Sequence, residues 1–338
     1  MTNKENNLEI KAFMLAMGEI CFDNLPDLKK YHHTYNDNHH QNEWIFIKLN
    51  DTSRIRFTYN KDAHLIITLE EDSLVIKDRV NNDILVTGVI VEEALVHAPE
   101  QLFLGLYEYC SVKCKFCPLA YNNEKIHYSL DSIFYDIDCN NDKDIQSIGI
   151  TTAIPPNMEA SDVGDELAFV IEKIVKKVGT DIPIGVSTKI PSLKTLKELK
   201  EAGASEIRLN IEVWDKELCK KMMPKKDIFA ILESIQMASE VFGRGKVSSN
   251  LILGIGETDA SIIEGVEVLA KSGAIATLYP YDPIEQNCYD FARPDAERLI
   301  RLAKIHKEIL KKYNLDPMGL KTMCPACAAS HLYPGRDF

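Results

Sequence analysis

The chain lacks the sequence features that place a protein in a membrane or an export pathway. No apolar run among its 338 residues reaches the roughly 18 residues that a membrane-spanning helix needs. The first seven residues, MTNKENN, contain no apolar core and no cleavage site of the kind found in signal peptides. We therefore expect a cytoplasmic protein with no membrane partner.

Positive charge is also scarce. The chain has 39 Lys and Arg against 51 Asp and Glu, for a formal net charge of −12. An acidic surface repels phosphate backbones, so we expect no nucleic-acid partner. The dense lysine run comprises Lys220, Lys221, Lys225 and Lys226. We interpret it as a solvated face, with a local basic patch as the alternative.

A disulfide framework is not indicated either, because the nine cysteines are unevenly placed in a long chain without an export signal. Cys110, Cys114 and Cys117 follow an apolar, strand-like run over 101–109. Their C-x3-C-x2-C spacing arises in roughly 0.4% of random placements. Three thiolates from one loop suit an iron–sulfur cube with one open iron. The alternatives are a zinc site without a nearby fourth ligand, and buried structural cysteines.

This spacing, together with Phe116 before the last cysteine, resembles the signature of the radical S-adenosylmethionine (radical SAM) superfamily. The resemblance implies a [4Fe-4S] cluster held by Cys110, Cys114 and Cys117, with exchangeable SAM bound at its open iron. Reductive cleavage of SAM would give a 5′-deoxyadenosyl radical that takes hydrogen from a small-molecule or carrier-bound substrate. An electron donor such as ferredoxin or flavodoxin is implied as a partner.

Hydropathy and turn residues predict an α/β protein with three parts. Residues 1–96 contain short strands broken by Asn and Asp turns, which indicates a small β-rich module. Residues 97–315 alternate between strands and helices, which implies a parallel sheet. The resemblance favours a partial (β/α)6 TIM-type barrel there over a doubly wound sheet. Residues 316–338 form a C-terminal tail with two cysteines.

The predicted strands and helices of the central part alternate along the chain. The strands are Leu102–Tyr109, Ile145–Thr151, Ile182–Ser187, Glu206–Val213, Lys246–Leu253 and Ala274–Tyr279. The helices are Asp162–Lys177, Ser192–Ala202, Asp227–Phe242, Asp259–Lys271 and Pro294–Tyr313. Capping residues at helix starts and glycines after helix ends support these bounds.

Polar residues follow several of these strands, where a parallel barrel gathers its reactive groups. The second strand ends in Thr151 and Thr152, in place of the Gly-Gly-Glu-like segment that receives the SAM amino group in related enzymes. Ser187 ends the third strand. In the fourth strand, alternation puts Arg208, Asn210 and Glu212 on one face. By resemblance, Asn210 and Glu212 contact SAM or substrate; an Arg208–Glu212 ion pair is the alternative.

The later strands supply further candidates. Gly254 and Gly256 resemble a fifth-strand segment that flanks adenine in the superfamily, where glycine allows close backbone approach. Tyr279, Tyr281 and Asp282 lie at the end of the sixth strand and are candidates for the substrate pocket.

The tail carries a second motif, Cys324-Pro-Ala-Cys327, followed by His331. We consider an auxiliary iron–sulfur cluster, a zinc or structural site with His331, and free thiols. Cys288 is the nearest extra ligand candidate, and we expect the tail to fold over the open end of the barrel. The other cysteines, Cys21, Cys139 and Cys219, are expected to pack as small apolar residues.

Within the superfamily, the chain resembles the biotin synthase and lipoyl synthase branch. The stretch 241–249 and the Cys-Pro-Ala-Cys tail also resemble a radical SAM family found beside nitrilase-type genes. An auxiliary cluster would then allow sulfur insertion into the substrate. The alternatives are a radical rearrangement or isomerisation without sulfur transfer, a non-enzymatic iron–sulfur electron carrier, and a zinc hydrolase.

Overall fold

The strands form two separate sheets, one before residue 93 and one after residue 100. The computed structural model describes residues 3–22, 25, 33–37, 40–95, 98–121, 124–283 and 291–338. None of the helices in these ranges combines the length and apolar content needed to cross a membrane. The predicted boundary at residues 96 and 97 lies outside the described residues.

The N-terminal module is an eight-stranded sheet preceded by a helix, α1 (Asn3–Met17). Its strands are β1 (Glu19–Phe22), β2 (His33–Asp37), β3 (His40–Lys48), β4 (Arg54–Tyr59), β5 (Leu65–Glu70), β6 (Ser73–Asp78), β7 (Ile84–Thr87) and β8 (Ile90–Glu92). They lie in the order β2-β3-β4-β1-β5-β6-β7, and β8 pairs with β3. Sequence patterning predicted the β-rich character but missed α1, whose buried Ala12 and Leu15 pack in the core.

The second sheet has six parallel strands in simple sequence order. They are β9 (Gln101–Gly105), β10 (Ser147–Thr151), β11 (Ile184–Ser187), β12 (Glu206–Arg208), β13 (Val247–Leu253) and β14 (Ala274–Pro280). Each crossover moves the chain to the adjacent strand in the same direction, which curls the sheet towards a barrel. Over the described ranges β9 and β14 each pair with one neighbour and do not pair with each other, so the barrel is not closed. This confirms the partial barrel over a doubly wound sheet.

Helices connect and follow these strands. They are α2 (Leu130–Cys139), α3 (Ala160–Val178), α4 (Leu193–Glu201), α5 (Lys216–Met222), α6 (Ile228–Phe242), α7 (Asp259–Lys271), α8 (Ala296–Lys312) and α9 (Met323–Cys327). The five predicted helices are confirmed, with Ser192 accepting a hydrogen bond from Thr195 N as the N-cap of α4. The short helices α2, α5 and α9 had not been predicted.

Alternation along the parallel strands separates an apolar outer face from a polar inner face. In β10 the buried Ile148 and Ile150 belong to one face, whereas Thr151 belongs to the other. The register pairs Thr151 with Ser187, and Ser187 with Arg208. Polar side chains from neighbouring strands therefore gather inside the barrel.

The C-terminal tail enters the barrel beside the amino-terminal ends of its strands. Glu206, the first residue of β12, accepts hydrogen bonds from Thr322 N at 2.9 Å and Thr322 Oγ1 at 2.7 Å. Gln101, at the start of β9, donates to Met323 O at 3.1 Å. A Cβ added at Gly185 would overlap Thr322 Oγ1, so glycine is needed for this approach. The expectation that the tail covers the open end of the barrel is therefore wrong.

The N-terminal module holds the tail from the other side. The fully buried Lys11 donates to Ala328 O and to both carboxylate oxygens of Asp337, each at 2.8 Å. Arg56 N donates to Ala329 O at 2.9 Å. The tail thus links the two sheets through buried, charge-assisted hydrogen bonds.

Candidate functional site

The main cavity opens at the carboxyl ends of the barrel strands and has a volume of about 550 Å³. That size is typical of small-molecule sites, which span roughly 300–1,000 Å³. Eight of the twelve predicted site residues line it: Cys110, Cys114, Cys117, Thr151, Thr152, Ser187, Asn210 and Glu212. The sequence prediction therefore identified residues from four strand ends that the fold brings to one place.

The three cysteines lie on a loop that is fixed at both ends by its neighbours. Ser111 N donates to Ile154 O at 2.9 Å, and Lys115 N donates to Met222 O at 3.0 Å. The loop is thereby tied to the residues after β10 and to the end of α5. Cys110 and Cys114 are buried and Cys117 is partly buried.

Lys189, which follows β11, contacts the first of these cysteines. Its Nζ lies 2.6 Å from Cys110 Sγ. Burial by itself would raise the pKa of Cys110, but the ammonium of Lys189 lowers that pKa below its ordinary value. Burial raises the pKa of Cys114, and it raises the pKa of Cys117 to about 12. Lys189 thus favours loss of the Cys110 proton, whereas burial opposes proton loss from Cys114 and Cys117. All three thiols would lose their protons on binding a metal.

The donor set fits an iron–sulfur cube better than a single metal ion. Three sulfur atoms from one loop line a cavity with space beside them, which is the arrangement that suits a cube with an open iron. In the described ranges, no group of three His, Cys, Asp or Glu side chains is arranged to hold one metal ion. A tetrahedral zinc with Zn–S bonds of about 2.3 Å would require such a group.

The end of β12 supplies the polar wall of the cavity. Arg208 donates to Ser187 Oγ at 3.2 Å and to Cys324 Sγ at 3.1 Å. No Arg208–Glu212 ion pair forms in the described structure, so that alternative is wrong. Asn210 Oδ1 accepts from Asn250 N at 3.1 Å. Glu212 has a left-handed φ of 65°, a conformation often found at functional sites.

The two predicted glycines do not line this cavity. Gly254 has a φ of 106°, and an added Cβ would overlap the carbonyl oxygen of Ala292. The absence of a side chain at Gly254 therefore makes room for Ala292. An adenine contact by Gly254 or Gly256 stays a prediction.

The candidates after the sixth strand also lie outside the cavity lining. Arg56 of the N-terminal module donates to Tyr279 Oη at 3.2 Å and to Asp282 at 3.0 Å. Tyr281 packs edge-on against Phe291. Tyr279 and Asp282 thus connect the barrel to the module, and a substrate role for them stays a prediction.

The tail cysteines, Cys324 and Cys327, are both partly buried. Cys324 contacts Arg208, which also lines the cavity, so Arg208 touches the second cysteine motif and borders the cavity that the first motif lines. Burial raises the pKa of Cys327, although Arg54 and Arg56 oppose this rise. His331 is buried, and neither of its ring nitrogens has a partner among the described residues. Cys288, the suggested further ligand, lies outside the described residues.

The remaining cysteines follow the sequence prediction in part. Cys21 and Cys219 are buried, as expected, but Cys139 is exposed at the end of α2. Its position at a helix end places it on the surface. The sequence suggested no role for Lys189 and placed Lys225 and Lys226 on a solvated face, although all three line the cavity. The sequence shows that a residue is charged, but the loop that carries the residue decides whether its side chain faces the cavity.

Comparison with known proteins agrees with the geometry. Residues 105–269, from the end of β9 to the end of α7, match the sequence profile of the radical SAM superfamily. This region therefore resembles the radical SAM superfamily in sequence. Members use a [4Fe-4S] cluster and SAM, which confirms the predicted cofactors at the level of the family. The N-terminal sheet and the tail lie outside the matched region.

One curated relative is the GTP 3′,8-cyclase of Aliarcobacter butzleri (strain RM4018). It is 25% identical over 233 residues, which cover 67% of this chain and 68% of the relative. It is not a biotin or lipoyl synthase, so this comparison does not support the predicted branch.

Two solved structures share the fold. HydG, a maturase of the [FeFe]-hydrogenase, has a TM-score of 0.54 at 15% identity, covering 62% of this chain and 50% of its own. Streptococcus suis SuiB bound to S-adenosylmethionine has a TM-score of 0.51 at 17% identity, covering 64% of this chain and 48% of its own. The chain thus spans about half the length of either structure.

Proposed function

We propose that this protein is a radical SAM enzyme that abstracts hydrogen from a small organic substrate bound in the main cavity. The observation that carries the proposal is the convergence of Cys110, Cys114 and Cys117 with strand-end hydroxyl and amide groups on one cavity. When bound, the cluster supplies the electron that cleaves SAM and so generates the hydrogen-abstracting radical. A small redox protein such as ferredoxin or flavodoxin would serve as the reductant.

The residues of this chain would divide the remaining tasks. Cys110, Cys114 and Cys117 would hold three irons, and Lys189 would offset part of the charge on the Cys110 thiolate. Thr151, Thr152, Ser187, Asn210 and Glu212 would bind and orient SAM or substrate. These residues would bind with hydroxyl, amide and carboxylate groups from three strand ends, in place of the Gly-Gly-Glu-like segment that receives the SAM amino group in related enzymes.

Anaerobic reconstitution of Cys114→Ala tests this assignment. We expect the variant to lose the absorption near about 400 nm and most of the roughly four irons of the cube, and to form no 5′-deoxyadenosine with SAM and dithionite. Cys139→Ala is the matched control, because Cys139 is exposed on α2. Full iron content in Cys114→Ala would refute the ligand set. Full iron content in the wild type without 5′-deoxyadenosine would favour the electron carrier.

The second part of the proposal is an auxiliary cluster at Cys324 and Cys327. Its support is the contact of Cys324 with Arg208, a residue that also lines the cavity. Such a cluster would supply sulfur, as in lipoyl-synthase-like enzymes, or accept an electron from a product radical. A Cys324→Ala/Cys327→Ala variant should then lose about half of the iron. Unchanged iron would favour rearrangement or cyclisation, and GTP would be the first substrate to test because of the 25% identical relative.

A further inference from the structure

We propose that the substrate of the main cavity is a small anion, bearing a phosphate or carboxylate group, and that Lys225 and Lys226 bind this group at the cavity mouth. This inference rests on the proposed function, because it names the substrate class of the same cavity. It also changes the interpretation of the lysine run, since only its second half faces the cavity.

The first observation is the sign of charge in the cavity wall. Five cationic side chains line it: Lys113, Lys189, Arg208, Lys225 and Lys226. Three carboxylates line it: Glu108, Glu159 and Glu212. The wall is therefore positive, although the whole chain has a net charge of −12. A local field of opposite sign to the rest of the surface attracts an anionic ligand.

The second observation is the lack of carboxylate partners for the two lysines. Lys225 Nζ donates to Ser111 O at 3.0 Å, and Lys226 Nζ donates to Asn210 O at 3.2 Å. Neither forms an ion pair within the described part of the chain. Lys220, in the same run, instead pairs with Glu217 at 3.0 Å on the exposed surface. Each cavity lysine has three N–H donors, so donors remain for a ligand.

The cofactors do not account for this positive charge. An oxidised cube with three thiolates carries about one negative charge, and SAM carries about one positive charge, so together they are close to neutral. Lys189 already contacts Cys110, and Arg208 contacts Ser187 and Cys324. Lys226 also opposes the rise that burial causes in the pKa of Cys114. Lys225 and Lys226 are adjacent in the chain, and charge-assisted hydrogen bonds from both would hold a phosphate or carboxylate.

Calorimetric titration of the anaerobic, reconstituted full-length protein tests the proposal. Saturating SAM is present without reductant, and the probes are sodium pyrophosphate, succinate and the uncharged glycerol. We expect one of the two anions to bind, which distinguishes a phosphate from a carboxylate ligand, and glycerol not to bind. In Lys225→Gln/Lys226→Gln the affinity should fall at least tenfold. Lys225→Arg/Lys226→Arg should retain most of it, and Lys220→Gln/Lys221→Gln should match the wild type.

Several results would overturn the inference. They are an absence of binding by both anions, equal affinity in the Gln variant, or an equal loss in the Lys220/Lys221 control. Binding of an anion only when SAM is omitted would also overturn it, because the lysines would then bind the SAM carboxylate. Failure of the proposed function gives a different result, namely no 5′-deoxyadenosine after reduction of the wild type, whatever the anion titration shows.

Discussion

The attachment of the tail to Glu206 leads to a quantitative prediction. The side chain of Glu206 is 3% exposed. One of its oxygens accepts from Thr322 N, Thr322 Oγ1 and Lys321 N at 2.7–3.0 Å, and the other accepts from Lys321 N and Lys246 Nζ. Hydrogen bonds to a charged group contribute about 1.5–3 kcal/mol each. Lys246 is 40% exposed, so its share is smaller.

Glu206→Gln keeps one acceptor oxygen and places an NH2 group against donors. We expect this variant to lose roughly 2–3 kcal/mol of unfolding free energy. Glu206→Ala leaves the buried Thr322 N–H without an acceptor and should lose roughly 3–5 kcal/mol. Both losses are large against a typical stability of about 5–15 kcal/mol. The exposed Glu217, replaced by Gln, is the control and should change stability by less than about 1 kcal/mol.

Guanidinium unfolding followed by tryptophan fluorescence measures these losses. The chain has two tryptophans, and Trp44 packs in a cluster with Ala329 of the tail, so Trp44 reports whether the tail is in place. Trypsin cleavage after the exposed Lys321 gives a second measurement, and it should accelerate in both Glu206 variants. If Glu206→Gln unfolds at the same midpoint as the Glu217 control, the carboxylate does not anchor the tail.

Two further predictions concern pH and redox behaviour. Burial lowers the pKa of His306 to about 4 from 6.5. Below about pH 6.5 His306 is protonated in the unfolded chain, whereas in the folded chain it is protonated only below about pH 4. The unfolding free energy therefore falls by roughly 3 kcal/mol as the pH drops from about 6.5 to about 4. His306→Leu should flatten this loss in unfolding titrations, whereas the exposed His64→Gln should not; equal slopes would contradict the assignment. Lys189→Gln removes a cation 2.6 Å from Cys110 Sγ, so the cluster's midpoint potential should become more negative in an EPR-monitored redox titration. Lys194→Gln, on the surface of α4, is the control, and an unchanged potential in Lys189→Gln would contradict the contact.

Local sequence patterns were sufficient for most of the barrel. Alternating apolar residues marked the six parallel strands, and caps such as Ser192 marked the helices, because these signals act over a few residues. The short helices α2 and α5 were missed because so few residues give a weak periodic signal. The helix α1 was missed because its sequence begins with the polar residues NKENN, and its apolar side becomes evident only against the module's core.

For the functional site too, local patterns predicted some residues and the tertiary structure was needed for others. The spacing of Cys110, Cys114 and Cys117 indicated a resemblance to the superfamily whose profile residues 105–269 match, because ligands on one loop are near each other in sequence as well as in space. The strand-end residues Thr151 and Asn210 were found because parallel strands end at one edge. Gly254 was assigned to adenine by resemblance alone. The structure places Ala292 against it, and an adenine contact stays a prediction.

The sequence by itself determined the spacing of the cysteine motif and the alternation of strands and helices after residue 100, since both are patterns of residues close together in the chain. Only the tertiary structure decided where the tail goes and which lysines face the cavity. Thr322 reaches Glu206 across 116 residues of chain, and Lys11 reaches Asp337 across 326. Such contacts depend on packing between distant segments. No local pattern encodes these contacts. They place the tail at the amino-terminal ends of the barrel strands, whereas the first cysteine motif lines the cavity at the carboxyl ends.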